Sequence, residues 1–247
     1  MALQESFEKQ GGWLFKKRTY IPLIIVAAGI LRYVFLLHNG GATVNCWWHD
    51  LLFLCVGFAG LGIRIFTVGF TPKGTSGRNT SEGQVAEQLN TTGIYSVVRH
   101  PLYLGNFLMW LAPMLMLSDV LIALFVCAFF WIYYERIMFA EEQFLRKKFG
   151  QAYIDWSNKT PAFFPNFLQY KKSNLTFSLK TVLKRESSGF FNLVLIMTLF
   201  RAVGFAIATE KFYLDMPWIV IFSTAFIIFI LLKIAKKFTT LLNVEGR

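Results

Sequence analysis

The chain is poor in metal-binding chemistry and in charge of one sign. It has three cysteines (Cys46, Cys55 and Cys127), scattered and without metal-ligand spacing, so they read as packing residues and no metal is expected. No Gly-x-Gly-x-x-Gly follows a strand-like run, which excludes a soluble dinucleotide-binding domain. Met1 to Gln10 is polar and the first apolar run lies well inside the chain, so no cleavable signal is expected. Asp and Glu total only 14 against 25 Lys and Arg, a net charge of +11. In a soluble protein that excess would point to nucleic acid. Here the basic residues lie between apolar runs, so the expected partner is an anionic membrane surface and not nucleic acid.

What is present is apolar surface. Hydrophobic residues make up 55% of the chain, 27 of them Phe, and mean hydropathy is +0.48. Several runs approach the roughly 20 residues that cross a bilayer as helix, and they are too long and unalternating for barrel strands. The fold class is therefore an all-α, polytopic membrane protein. Six spans are expected, at Tyr20 to Leu37, Leu51 to Phe70, Leu102 to Leu117, Val120 to Tyr134, Phe190 to Ala208 and Pro217 to Lys233. The third contains Pro113, and it forms a short helical hairpin with the fourth across Ser118-Asp119. Phe139 to Trp156 has the spacing of an amphipathic helix, and Leu175 to Glu186 that of an interfacial one. A short helix is also expected at Glu82 to Leu89. Basic residues alternate with loops that hold only Lys211, which places both termini and the central motif on the cytoplasmic side.

Residues 93–165 stand out as a core, between the N-terminal spans and loop (1–92) and the interfacial helix with its two-span hairpin (166–247). Arg99, His100 and Tyr103 sit where a polar loop meets a span. Pro101 suits the first turn of the helix that follows, and the free N–H groups there would seat an anion beside Arg99. At the other end of the hairpin, Glu135, Glu141 and Glu142 are acidic residues near a lipid interface, costly without a cation. Glu142 shares a face with Glu135 and precedes Leu145 and Phe149 by three and seven residues, so it is expected nearer the packed side than Glu141. Arg32, Arg64 and Arg201 lie within spans; none belongs to a local motif, and structural roles are expected.

Gly93-x-Tyr95-x-x-x-Arg99-His100-Pro101-x-Tyr103-x-Gly105 is followed by Glu141-Glu142-x-x-Leu145-x-x-x-Phe149-Gly150-x-x-Tyr153 and then Pro165. This pattern, about 70 residues in span, resembles the isoprenylcysteine carboxyl methyltransferase family and is similar to the related phospholipid methyltransferases. The resemblance implies S-adenosylmethionine as cofactor, bound by Tyr95, Arg99, His100, Tyr103, Gly105 and Glu141. It implies a lipidic or lipidated acceptor, with Glu142, Glu141 and Arg136 as the catalytic candidates. A carboxylate acceptor would want a cation such as Arg136 beside it, whereas an amine would need Glu141, Glu142 or His100 to take its proton. A prenylcysteine carboxylate, an ethanolamine headgroup and a lipid phosphate remain open. Two other readings stand beside it. The Arg-His-Pro-x-Tyr half is similar to membrane sterol reductases, which would imply NADPH; a non-catalytic interaction protein is the third.

Overall fold

The computed structural model describes residues 2–42, 44–72 and 85–244. Eight α-helices make up the described chain: α1 (Leu3–Lys17), α2 (Ile21–His38), α3 (Trp47–Gly69), α4 (Pro101–Leu115), α5 (Val120–Phe149), α6 (Gln151–Ser157), α7 (Leu179–Thr209) and α8 (Met216–Phe238). Five of them, α2, α3, α5, α7 and α8, are long and apolar enough to cross a membrane. The expected third span is α4, whose 15 residues rise about 22 Å, less than a hydrocarbon core of about 30 Å. Pro113 falls in its last turn, where it ends the helix instead of breaking it.

Three boundaries differ from the sequence reading. Residues 3–17, which lie before the first expected span, form α1. Its Phe15 is buried with Tyr133, Tyr134 and Ile137 of α5, its Phe7 packs edge-on against Phe139, and its Glu8 pairs with Lys147. The fourth span and the amphipathic segment are one unbroken helix up to Phe149. Gly150, at φ 54°, then turns the chain into α6, a backbone that a side chain would strain. Likewise the interfacial segment and the fifth span are one helix, α7, capped by the Ser178 hydroxyl. Of the helix expected at Glu82 to Leu89, residues 82–84 lie outside the described residues, and Val85 to Leu89 is not helical.

Two packing features set the frame. α3 and α4 approach backbone to backbone: a Cβ on Gly60 would come 2.5 Å from the Gly105 carbonyl oxygen, and one on Gly105 would come 2.6 Å from Arg64 Cγ. An apolar core of Leu54, Ala112, Met114, Met197 and Phe200 joins α3, α4 and α7. At the face away from the motif, the intramembrane arginines find acids. Arg201 meets Asp50 at 2.8 Å and Asp215 at 2.7 Å, and also donates to the Asn45 carbonyl. Arg32 meets Asp119, the N-cap of α5, at 2.7 Å. Arg32 and Arg201 are thus structural ties between loops and helices, with each charge matched as burial demands.

Candidate active site

The hairpin of α4 and α5 closes at the motif-bearing end. Backbone pairing fixes the entry to α4: the Arg99 and His100 N–H groups donate to the Pro161 and Ala162 carbonyls, at 2.9 and 3.2 Å. The Tyr103 and Leu104 N–H groups both donate to the His100 carbonyl. These four donors are engaged.

Two acidic residues of α5 meet the motif differently. Tyr103 donates its hydroxyl to Glu141 Oε2 at 2.8 Å. Glu142 Oε1 lies 2.9 Å from His100 Nε2 and 3.4 Å from Arg99 Nε. The Glu141 side chain is 8% exposed and that of Glu142 23%, the reverse of the expected order. The reason is the continuity of α5. Glu141 lies seven residues past Tyr134 and four past Ile137, both buried, so it continues the stripe that packs on α4. Tyr153 of α6 sits on the Glu142 side; burial, then the Glu142 carboxylate, pushes its phenol well above the ordinary value, so it stays a neutral ring.

A polar chamber of about 730 Å³ opens beside this cluster. Tyr95, Arg99, His100 and Glu141 line it, and the same four also line a smaller pocket reaching Trp156 and Asn90. Tyr103 also lines the chamber; its ring stacks on His100 at 5.6 Å and meets Tyr134 at 4.8 Å. Gly105 is not part of either wall; it provides the close contact of α4 with α3. Arg136 lines neither cavity: its guanidinium bonds Glu135 at 3.0 Å and lies over the Phe7 ring of α1 at 3.4 Å.

The chamber's other walls come from outside the motif. Arg64 of α3 lines it, holds Glu186 of α7 through two hydrogen bonds of 2.7 and 3.0 Å, and donates to Asn106 at 2.6 Å. Asn106 in turn donates to the Tyr134 hydroxyl at 2.9 Å. Arg18, Lys184, Arg185 and Lys236 complete a basic rim drawn from the end of α1, from α7 and from α8. Basic side chains outnumber carboxylates six to two around the chamber. Nothing local marks Arg64 or this rim in the sequence. A charged residue inside an apolar run was the available signal, and its partner lies 122 positions away.

The residues present fit S-adenosylmethionine. Arg99 lines the chamber, and its guanidinium, paired at Nε with Glu142 at 3.4 Å, suits a carboxylate at its remaining N–H groups. The Glu141 carboxylate and the Tyr95, Tyr103 and Tyr134 rings suit an ammonium and a sulfonium. Among the described residues, no group of three or more His, Cys, Asp or Glu is placed to share a metal ion.

A family model described as phospholipid methyltransferase matches residues 53–152. The chain is 31% identical to the nickel-cobalt-cadmium resistance protein NccN of Alcaligenes xylosoxydans xylosoxydans, over 66% of this chain and 71% of that protein. It is 31% identical to the cobalt-zinc-cadmium resistance protein CzcN of Cupriavidus metallidurans, over 50% of this chain and 54% of that one. It is 32% identical to the protein-S-isoprenylcysteine O-methyltransferase of Schizosaccharomyces pombe, over 31% of this chain and 33% of that enzyme. No solved structure matches the chain significantly.

Proposed function

The chain belongs to the phospholipid methyltransferase family of integral membrane methyltransferases, and we propose that it transfers a methyl group from S-adenosylmethionine to an anionic oxygen of a lipidic or lipidated acceptor. The observation that carries this is the chamber where Arg99, His100 and Glu141 meet a basic rim. Its volume of about 730 Å³ is that of a cofactor-sized site.

Arg99, braced by Glu142 and by the Ser157 carbonyl, holds the cofactor's carboxylate. Glu141, with its charge directed by the Tyr103 hydroxyl, faces the cofactor's cationic end. When bound, the cofactor would supply an electrophilic methyl, which the acceptor's anionic oxygen would take with the thioether as leaving group. Arg18, Lys184, Arg185 and Lys236 seat the acceptor's anion in line with that methyl. An anionic oxygen needs no base, which agrees with the engagement of both glutamates. An amine acceptor would need one of them released. Methylation removes the charge the rim attracts, so product leaves more readily than substrate binds.

The basic residues at the motif-bearing end, Lys16 to Arg18, Arg146 to Lys148 and Lys236, support a cytoplasmic site with both termini on that side. The test is incubation of purified protein with methyl-labelled S-adenosylmethionine and separate lipid acceptors: a prenylcysteine, an ethanolamine phospholipid and an anionic phospholipid. Label on the ethanolamine amine would refute the anionic acceptor. Tight binding of NADPH instead of S-adenosylmethionine would hand the site to a reductase.

A further inference from the structure

We propose that the segment from Phe163 to Lys172 is a membrane-inserted wedge. Phe164, Phe167 and Leu168 enter the leaflet at the site's face, while Lys171 and Lys172 meet anionic headgroups, and the inserted wedge holds the backbone of Arg99 and His100. The three apolar side chains are 75%, 73% and 99% exposed, within five residues of one another. Scattered exposed apolar residues are ordinary, but a clustered patch marks a contact surface.

Continuity with the lipid-facing wall identifies the contact. The Phe163 ring packs edge-on against Trp131 of α5 at 5.5 Å, and Phe164 packs edge-on against Phe163 at 5.7 Å. Trp131 and Ile132 are exposed on the apolar half of α5, a helix long and apolar enough to cross a membrane. Phe163 also meets Phe107 at 6.1 Å, and Phe107 lies about 9 Å along α4 from Pro101. With Pro101 at the headgroup level, that is the depth at which interfacial segments sit, about 5–10 Å into the boundary between headgroups and chains.

Irregular backbone in lipid needs its polar groups satisfied by protein, and five N–H groups of this segment are. The N–H groups of Asn166, Leu168, Gln169, Tyr170 and Lys171 donate in turn to the Val97 carbonyl, the Asn166 side chain, the Asn166 carbonyl, the Phe167 carbonyl and the Ser96 hydroxyl. Lys171 and Lys172 follow the apolar residues and are exposed, in the position an anionic headgroup layer favours. The Pro161 and Ala162 carbonyls that receive the Arg99 and His100 N–H groups lie immediately before the wedge, so its seating and the motif's backbone are one unit.

The proposal is independent of the methyltransferase reading, because its test reads position in the bilayer. Full-length protein with its three cysteines replaced by alanine would carry Leu168→Cys or, separately, Phe167→Cys, labelled with an environment-sensitive fluorophore in nanodiscs containing anionic lipid. The expected result is blue-shifted emission, quenched by lipids spin-labelled at a shallow acyl carbon and not by aqueous iodide. Water-like emission with iodide quenching overturns insertion. Blue-shifted emission that neither quencher reaches also overturns it, because a second copy or another protein would then cover the patch. Hydrogen exchange tests the coupling: Phe164→Ser, Phe167→Ser and Leu168→Ser together should raise exchange in peptides holding the Arg99 and His100 amides. Unchanged protection there overturns the coupling.

Discussion

Arg64 of α3 and Glu186 of α7 face each other as a forked pair, with hydrogen bonds of 2.7 and 3.0 Å at the chamber wall. This pair makes the C-terminal hairpin part of the site. Its loss leaves one charge buried and unmatched, which costs about 3 kcal/mol or more. Arg64→Ala and Glu186→Ala are therefore expected to lower the thermal unfolding midpoint in detergent by several degrees. Arg64→Lys should fall between them and the parent, because an ammonium cannot reproduce the fork. An unchanged midpoint in all three would remove the pair from the stability account.

Tyr103→Phe deletes only the hydroxyl that directs Glu141. A hydrogen bond to a charged group contributes about 1.5–3 kcal/mol. Turnover should drop about 10- to 100-fold if that bond is needed in the transition state. Unfolding should shift little, since the ring contacts with His100 and Tyr134 remain. Steady-state kinetics beside a thermal melt separates the two effects.

Glu141 lines both cavities, whereas Glu142 braces Arg99 and His100 from the half-open side. Glu141→Gln is expected to lower cofactor affinity and turnover together. Glu142→Gln should affect turnover more than affinity, and less severely overall. Calorimetry with S-adenosylmethionine and its demethylated product, run beside initial rates, checks this order. Wild-type turnover in Glu141→Gln would be incompatible with it.

Arg99→Ala removes the guanidinium at the chamber wall. Cofactor affinity should weaken by about 1.5–3 kcal/mol, the scale of a charge-assisted hydrogen bond. The same calorimetric titration reads it, and an unchanged dissociation constant would mean the cofactor's carboxylate sits elsewhere.

The chemistry-bearing hairpin was legible because its signals are local. Pro101 after His100 marks the start of α4, the Ser118-Asp119 turn joins the helices, and Glu141 and Glu142 follow the apolar run ending at Tyr134 by about two turns. Long-range pairing hid the rest. Lys184, Arg185 and Glu186 looked like the end of an interfacial helix, yet they line a chamber, so α7 runs on through them. Arg136 looked like the natural cation beside an acceptor because nothing in sequence shows α1 folding back to place Phe7 beneath it. The order of the two glutamates was misjudged from Leu145 and Phe149 downstream. Tyr134 and Ile137 upstream set the packed stripe instead.

Orientation has a native reporter. Cys46 is exposed in the link between α2 and α3, whereas Cys55 and Cys127 lie within helices that span. A membrane-impermeant maleimide should label Cys46 in intact cells, with Cys55→Ala and Cys127→Ala as background. A cysteine at Lys171 should react only after the membrane is opened. The opposite pattern would invert the topology.

The Arg201 cluster closes the face opposite the chamber, with the apolar core of Leu54, Met197 and Phe200 between the two. Low-dielectric material is where a transmembrane voltage falls, at about 2.3 kcal/mol per elementary charge for each 100 mV crossed. A cation reaching the chamber from its own side traverses almost none of that drop. Methyl transfer in this chamber is therefore expected to run at the same rate in energised and depolarised vesicles.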